Sequence, residues 1–501
     1  MPSGSGWDRP RSARMGPVSQ RVAVSVVFVM AMFMAIMDTT IVNVAVPTLA
    51  RDLHVRTTNV DAVVVGFLVS LAVFIPASGW LGDRFGTKRV LLAAIVLFTA
   101  ASALCGLAQS ITQLVLFRVL QGAGGGMLTP VGMAMLFRTF PPAERIRASR
   151  ILVLPTALAP ALGPIVGGAL VTGLTWRWVF YVNVPIGILA LCFGAIFLDE
   201  HREATPGRFD AAGFVLSGAG LGCVMFALSE GPALGWSSPA IAVTGAGGAA
   251  LLAALVHTEL SVREPMIDLR LLGDRLFRVC TLVILFSTMT FLGVLYAVPL
   301  FFQDGLGASA LVSGLSTFPE AIGVMLGAQI AARLYPLLGP RRIVAAGLCG
   351  IAVCTTLMAV VDAGPAALWE MRGLLFLLGY CMGHVFTPCQ AAAFATISSA
   401  ATGRASTLYN ATRQLGSAVG VAVLSTVMDA AGTERAAGGS LQPNLGAYHL
   451  AFLTASGTAL VAGAIALTIR DRDAASTMRR EEPGRRPGRG VLTRLREVVG
   501  C

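Results

Sequence analysis

Apolar residues run down this chain in long blocks instead of alternating with polar ones. The blocks fall near residues 22–46, 60–80, 90–109, 111–136, 149–172, 176–198, 211–230, 239–257, 279–302, 311–332, 343–361, 367–392, 405–428 and 449–469. Each approaches or exceeds the roughly 20 residues that a helix needs to cross a bilayer. The alternation that marks a membrane β-barrel strand is absent, and the blocks are too long for one. The pattern predicts an all-α polytopic membrane protein with fourteen transmembrane helices. The loops between are short. The two longer ones are 199–210, which contains Pro206 and Gly207, and 258–278.

Composition removes the soluble alternatives. Of 501 residues, 55% are hydrophobic and 13% charged, against about 25% charged in a soluble globular domain. So few charges cannot cover a water-soluble fold of this length, and so apolar a chain is not disordered outside its ends. The apolar run from Val22 to about Val46 has no small-residue cleavage site after a short core, so it reads as a retained first span and not as a signal peptide.

The net charge of +11 would suit nucleic acid, but its distribution does not. Of 37 Lys+Arg residues, 30 fall in the two tails and in alternate loops. Arg51, Arg56, Arg177, Arg372 and Arg435 lie on the other side, and Arg118 and Arg413 lie inside apolar spans. This is the positive-inside signature. It places both termini in the cytoplasm of a multi-pass protein of the inner membrane, which requires an even number of spans. The single lysine, Lys88, reads as a GC-rich, bacterial genome. The nine cysteines show no paired extracellular spacing and no CxxC, so they read as buried inert thiols.

A weak repeat organises the chain. Gly86-Thr87-Lys88-Arg89 follows the second block and Gly339-Pro340-Arg341-Arg342 follows the tenth. The equivalence predicts two six-helix bundles, 22–198 and 279–469, with two inserted helices in 199–278. A cytoplasmic tail, 1–21, precedes them, and a basic tail, 470–501, expected to be disordered and to lie near anionic lipid, follows. Repeats of this kind suit secondary transporters, whose site lies between the halves near the midplane.

Four stretches carry mechanism. Gly79-Trp80-Leu81-Gly82-Asp83-Arg84-Phe85-Gly86-Thr87-Lys88-Arg89 resembles the G-x-L-x-D-R-x-G-[RK]-[RK] signature of the major facilitator superfamily, with Thr87 departing at one basic position. Glycines let helices approach closely, and Asp83 can face a helix N-terminus or pair with Arg84. Gly79, Asp83, Arg84, Gly86, Lys88 and Arg89 are therefore a candidate conformational latch. A basic loop that only sets topology is the plainer alternative. Leu114 to Gly124 resembles the L-x-x-x-R-x-x-Q-G motif, centred on Arg118 and Gln121. The plainer reading there is an arginine that snorkels.

Ala159-Pro160-Ala161-Leu162-Gly163-Pro164-Ile165-Val166-Gly167-Gly168 resembles the antiporter motif g-x-x-x-G-P-x-x-G-G, with Ala159 at the first glycine. Ordinary tight packing at Gly163 and Gly167 would also explain it. Met37 to Pro47, Trp176 to Gly187, and Gly403-Arg404-Ala405-Ser406 with Arg413-Gln414-Leu415-Gly416 resemble the fourteen-helix drug:proton antiporters, the QacA/EmrB type. The resemblance implies export by antiport. No Walker A, HExxH, GxSxG or metal-ligand cluster is present. An enzyme, a cofactor and a resident metal are therefore not expected, and the expected energy source is an ion gradient, which the resemblance implies is one of protons.

Ionisable groups inside a membrane mark function by default. Asp38 lies about 24 Å up the first span and Arg118 about 9 Å down the fourth, at roughly 1.5 Å per residue. The depths coincide, so the two can pair. Protonating Asp38 would break the pair, which makes Asp38 and Arg118 candidates for proton coupling, with a permanent helix–helix ion pair as the alternative. Glu320, near the midplane of the tenth span, would bind a cation, carry a proton, or simply sit neutral and hydrogen-bonded. His384 is a further substrate-binding candidate or a packing residue. Arg413 has no partner that the sequence names.

The expected function is proton-coupled export of amphipathic drugs or related lipophilic or cationic compounds. Export of an endogenous envelope lipid or metabolite, and a non-transporting scaffold or sensor, are the rivals. Small substrates, protons and membrane lipid are the expected partners, with no nucleic acid. The working unit is expected to be a monomer, with room for an accessory periplasmic or lipoprotein partner.

Overall fold

The protein is described here by a computed structural model covering residues 19–54, 57–151, 153–203, 208–262, 265–364, 366–432, 434–437 and 440–478. The helices of the first half are α1 (Gln20–Asp52), α2 (Thr57–Phe85), α3 (Thr87–Leu107), α4 (Ile111–Thr139), the short α5 (Arg145–Ile151), α6 (Val153–Gly173), α7 (Trp178–Tyr181) and α8 (Asn183–Phe197). A pair follows, α9 (Ala211–Leu234) and α10 (Pro239–Ser261). The second half holds α11 (Arg275–Leu300), α12 (Ala310–Met358), α13 (Ala367–Ala393), α14 (Thr402–Ala431) and α15 (Leu445–Ala466).

Twelve of the described helices are long and apolar enough to cross a membrane. One of them, α12, turns at Gly339 and so carries two of the predicted spans. The fifth predicted span falls on α6. Every one of the fourteen predicted blocks thus lies on a helix. The sixth is divided into α7 and α8, because Pro185 has no N–H to give to the carbonyl of Tyr181. Short polar residues start several helices where the sequence turns apolar. Ser110 Oγ accepts from the Gln113 amide at 3.3 Å, and Asp274 Oδ1 from that of Phe277 at 2.8 Å, as N-caps do.

Within the first half α1 packs on α6 and α8, and α4 on α2 and α3. Within the second, α12 packs on α13 and α15, and α11 on α14 and α15. Of the inserted pair, α9 lies beside α2 and α14, so it borders both halves, and α10 packs on α9. Trp236 Nε1, between α9 and α10, donates to Thr426 Oγ1 of α14 at 2.8 Å. Leu189, Val215 and Val243 stand exposed on the outside, as lipid-facing side chains must.

The repeat seen in the sequence is built into the two halves. Gly86 and Gly339 both take a positive φ, 100° and 77°, a conformation that favours glycine. Each faces an acid that follows the last helix of its own half. The Glu200 carboxylate accepts from the Lys88 and Arg89 amides at 2.9 and 3.2 Å. Asp471 Oδ1 accepts from the Arg341 amide at 2.9 Å. In each half an acid caps the N-terminus of the third span, where a negative charge is favoured.

One expectation is corrected. The tail from Arg470 does not start as disorder: Asp471–Thr477 forms a 3₁₀ helix, with Ala474 and Thr477 buried. Asp471 is held at the Arg341 amide and Thr477 Oγ1 lies 2.7 Å from the Tyr335 hydroxyl, so its polar content is spent on the second half. Residues 479–501 lie outside the described ones. The all-α fold holds, and the loop between α14 and α15 carries a short antiparallel hairpin of Glu434–Ala437 and Ser440–Pro443.

Candidate transport site

Asp38 sits in the middle of α1 and is fully buried. Three donors converge on its carboxylate. Arg118 Nη1 of α4 contacts Oδ2 as an ion pair. Gln121 Nε2 donates to Oδ1 at 2.8 Å and Asn183 Nδ2 of α8 at 2.9 Å. Arg118 is 1% exposed. It also donates from Nε to the Val63 carbonyl of α2 at 3.3 Å and from Nη1 to Gln121 Oε1 at 2.9 Å. Its guanidinium carbon lies 4.1 Å from the centre of the Phe67 ring, within cation–π range. An arginine this deep persists because its charge is neutralised and its protons are placed. The depth agreement read from the sequence is therefore a direct contact, and a snorkelling arginine does not describe it.

Gln121 and Asn183 both lie in stretches singled out from the sequence, but neither is given a role there. The signal was available: Gln121 is three residues after Arg118, on the same helix face, and Asn183 lies in the stretch 176–187. Asn183 Nδ2 also donates to Ser102 Oγ at 3.1 Å, while its Oδ1 is enclosed without a partner among the described residues. The site thus holds one unused acceptor beside a carboxylate surrounded by donors.

The antiporter stretch lies against this site. A Cβ added to Gly163 would meet Thr40 Cβ at 2.8 Å and the Ile41 amide nitrogen at 3.2 Å. The α6 backbone therefore passes directly over α1, two residues beyond Asp38. Gly167 is buried and Pro160 half-buried, but a Cβ on Gly168 would meet nothing within 4 Å. The side chain of Pro164 lies outside the described ones.

The latch residues divide into two groups. Gly79 and Asp83 face the second half. A Cβ on Gly79 would meet Thr407 Oγ1 at 2.6 Å and the Gly403 carbonyl at 3.1 Å, and one on Gly403 would lie 3.0 Å from Asp83 Oδ1. Asp83 thus stands at the first turn of α14, as one of the two sequence readings had it. Its ion-pair partner is not Arg84 but Arg138 of α4, at 2.8 Å. Adjacent helical residues point to different faces, so Arg84 turns out to an exposed position. Glu203 also reaches Arg138, at 3.2 Å, and Arg138 Nε crosses to the Ser399 carbonyl of the second half at 3.3 Å. Gly86, Lys88 and Arg89 are tied within the first half. Lys88 Nζ donates to the Ala195 and Leu198 carbonyls at the end of α8, at 2.9 and 2.6 Å.

Further contacts close this face of the molecule. Arg145 Nη1 donates to the Phe394 carbonyl. Phe137 stacks on Phe394 with ring centres 4.6 Å apart. Ser406 Oγ donates to the Pro130 carbonyl at 2.8 Å.

Glu320 and His384 are not brought to Asp38. Glu320 is buried on α12, and its backbone lies against Gly379 of α13, with 2.9 Å between the Glu320 carbonyl carbon and an added Cβ. His384 Nδ1 lies 2.9 Å from the Tyr380 carbonyl, and its ring is 4.7 Å from that of Tyr380. This is a packed, hydrogen-bonded environment inside the second half.

The chain matches the family described as Major Facilitator Superfamily over residues 28–421 and again over 280–499. It is 34% identical over 405 residues to the "Multidrug resistance protein B homolog" of Mycobacterium tuberculosis (strain ATCC 25618 / H37Rv), a match covering 80% of this chain and 75% of that protein. Among solved structures it is similar to the human organic anion transporter MFSD10 (TETRAN), with TM-score 0.63, 16% identity, 90% of this chain and 100% of that one. It is also similar to the proton:xylose symporter XylE, with TM-score 0.60, 14% identity, 89% of this chain and 94% of that one. At these identities the two structures speak for the fold alone. The fourteen helical blocks, the internal repeat and the matched residues agree: this multi-pass membrane protein belongs to the major facilitator superfamily, a family of transporters.

Proposed function

We propose that the chain is a proton-coupled antiporter that exports amphipathic drugs or related lipophilic compounds. The observation that carries this reading is the enclosed Asp38 carboxylate, held by Arg118, Gln121 and Asn183 where four helices of the first half meet. As a carboxylate it accepts from all three. Once protonated it must place an O–H among donors, and the guanidinium loses its neutralising charge. Asn183 Oδ1 is the acceptor at hand: turning the amide over would let it receive the Asp38 proton. Arg118 would then seek another anion or carbonyl, and α1 would shift against α6 at Gly163. Because α6 also packs on α12, that shift reaches the second half. The proton gradient is the only energy source required.

The relative's name supports drug export as the task. The alternation of basic loops supports a cytoplasmic position for both termini and for the face that Asp83 and Arg138 close, in the inner membrane. Reporter fusions after Arg89 and after Arg342 should both read as cytoplasmic. An external reading at either would overturn that orientation. The function itself is tested by efflux of a lipophilic dye from cells expressing the protein. Export above the empty-vector level that a protonophore abolishes is the expected result. Export that survives the protonophore, or none across a broad panel of compounds, would contradict the reading.

A further inference from the structure

A cavity lies between the halves, walled by α1, α4, α5 and α6 on one side and by α11, α13 and α14 on the other. It is about 40 Å³, room for a carboxylate-sized head, and Met32, Met133, Ile284 and Phe386 give it an apolar, polarisable wall. Its polar groups are unusual in one respect. Three buried side-chain atoms that line it have no hydrogen-bond partner among the described residues: Ser149 Oγ, Thr387 Oγ1 and Arg413 Nε. Each carries a proton to donate. Arg413 forms no ion pair with any described carboxylate, in contrast to Arg118 and Arg138, which are both paired. Its backbone is fixed instead, the carbonyl accepting from Thr288 Oγ1 at 3.3 Å and from Ser417 Oγ at 3.1 Å.

An unneutralised guanidinium in a membrane interior is expensive and ordinarily faces a partner or a cavity. Two hydroxyls left open in the same cavity add further donors beside that charge. Water can satisfy the donors but leaves the positive charge standing. A carboxylate satisfies both, since it accepts from several directions and matches the planar guanidinium. Glu320, the acid that the sequence suggested for reading substrate charge, does not line this cavity.

We propose that this cavity binds the carboxylate of an amphipathic anion or zwitterion, with Arg413 as the charge partner, Ser149 and Thr387 as hydrogen-bond donors, and the Met and Phe wall holding the apolar body. The proposal names a substrate class for the exporter reading and rests on that reading only for calling the ligand a cargo. The site is a binding site whether or not the ligand is moved.

The test uses the full-length protein in lipid nanodiscs and three probes with one body: 4-(1-pyrenyl)butyrate, 4-(1-pyrenyl)butanol and 4-(1-pyrenyl)butylamine. Binding is measured by equilibrium dialysis, with empty nanodiscs subtracted. The wild type should bind the carboxylate about tenfold more tightly than the alcohol, the advantage expected of a charge-assisted pair, and the amine most weakly. Arg413→Gln should bind carboxylate and alcohol alike, and Arg413→Lys should restore part of the preference. No preference in the wild type, which is the result for a water-filled cavity, would overturn the proposal. So would an Arg413→Gln variant that keeps the preference, or one that weakens all three probes equally. If Arg413→Gln does not fold, the pair Ser149→Ala with Thr387→Val decides. It should remove the tenfold preference, because each lost hydrogen bond to an anion is worth about tenfold or more, and an unchanged preference would sink the idea. Protonophore-sensitive efflux is scored separately. Its absence beside an intact carboxylate preference rejects export and leaves the site.

Discussion

Replacing Asp38 by Asn should bring proton-driven efflux of every substrate to background while the protein still reaches the membrane. The substitution keeps the side chain's shape and one carbonyl oxygen, so Arg118 and one amide can still be accommodated. What is lost is the group that takes up a proton and the charge that neutralises Arg118. Removing one partner of a buried ion pair destabilises by about 3–5 kcal/mol, because the other charge stays buried alone. Expression and thermal stability must therefore be measured with transport. The informative result is a variant of normal abundance whose substrates only equilibrate. Gln121→Ala and Asn183→Ala test the same network more gently, since they remove two hydrogen bonds and one, respectively, to the charged pair and leave both charges in place. An Asp38→Asn protein that still concentrates substrate against a gradient would return the Asp38–Arg118 pair to a purely structural role.

Asp83→Asn should lower transport by roughly tenfold and loosen the face that Asp83 and Arg138 close. The two side chains are almost wholly buried, and Arg138 carries the contact onward to the Ser399 carbonyl across the boundary between halves. A hydrogen bond to a charged group contributes about 1.5–3 kcal/mol. At about 1.4 kcal/mol per factor of ten, losing one shifts the balance between open and closed forms by an order of magnitude or more. Glu203 still reaches Arg138 at 3.2 Å and should preserve part of the closure. Asp83→Asn with Glu203→Gln should therefore be more severe than either alone. Thiol labelling of a cysteine placed at Ser399 reports the opening directly. Unchanged flux and unchanged labelling in the double variant would leave this loop with a topology role only.

Much of this was legible in the chain because membrane helices announce themselves by length and apolarity, so each predicted span meets a helix. Depth along a helix is also simple arithmetic, which is why Asp38 and Arg118 could be paired before any coordinates. What the sequence could not give was azimuth. Arg84 is next to Asp83 in the chain and Arg138 is 55 residues away, yet only Arg138 lies on the facing side. Motif membership likewise concealed two roles within the basic loop. Asp83 and Gly79 look outward to α14, while Lys88 and Arg89 are held by α8 and Glu200 of their own half. Glu200 and Asp471, the acids that cap the paired turns, sit in the least patterned parts of the sequence. Only the three-dimensional repeat makes their equivalence visible. Arg413 shows the same limit: that it forms no ion pair among the described residues is a property of the cavity it faces.

The central proposal, that Asp38 carries the proton exchanged for substrate, is tested most directly in liposomes that contain the purified protein and an internal pH indicator. A substrate gradient is imposed with no initial pH difference. The account predicts that substrate entry drives protons out, so that the lumen becomes alkaline at a rate that follows substrate flux, and that Asp38→Asn gives no proton movement. Substrate flux with no pH change in the wild type, or an undiminished pH change in Asp38→Asn, would contradict it.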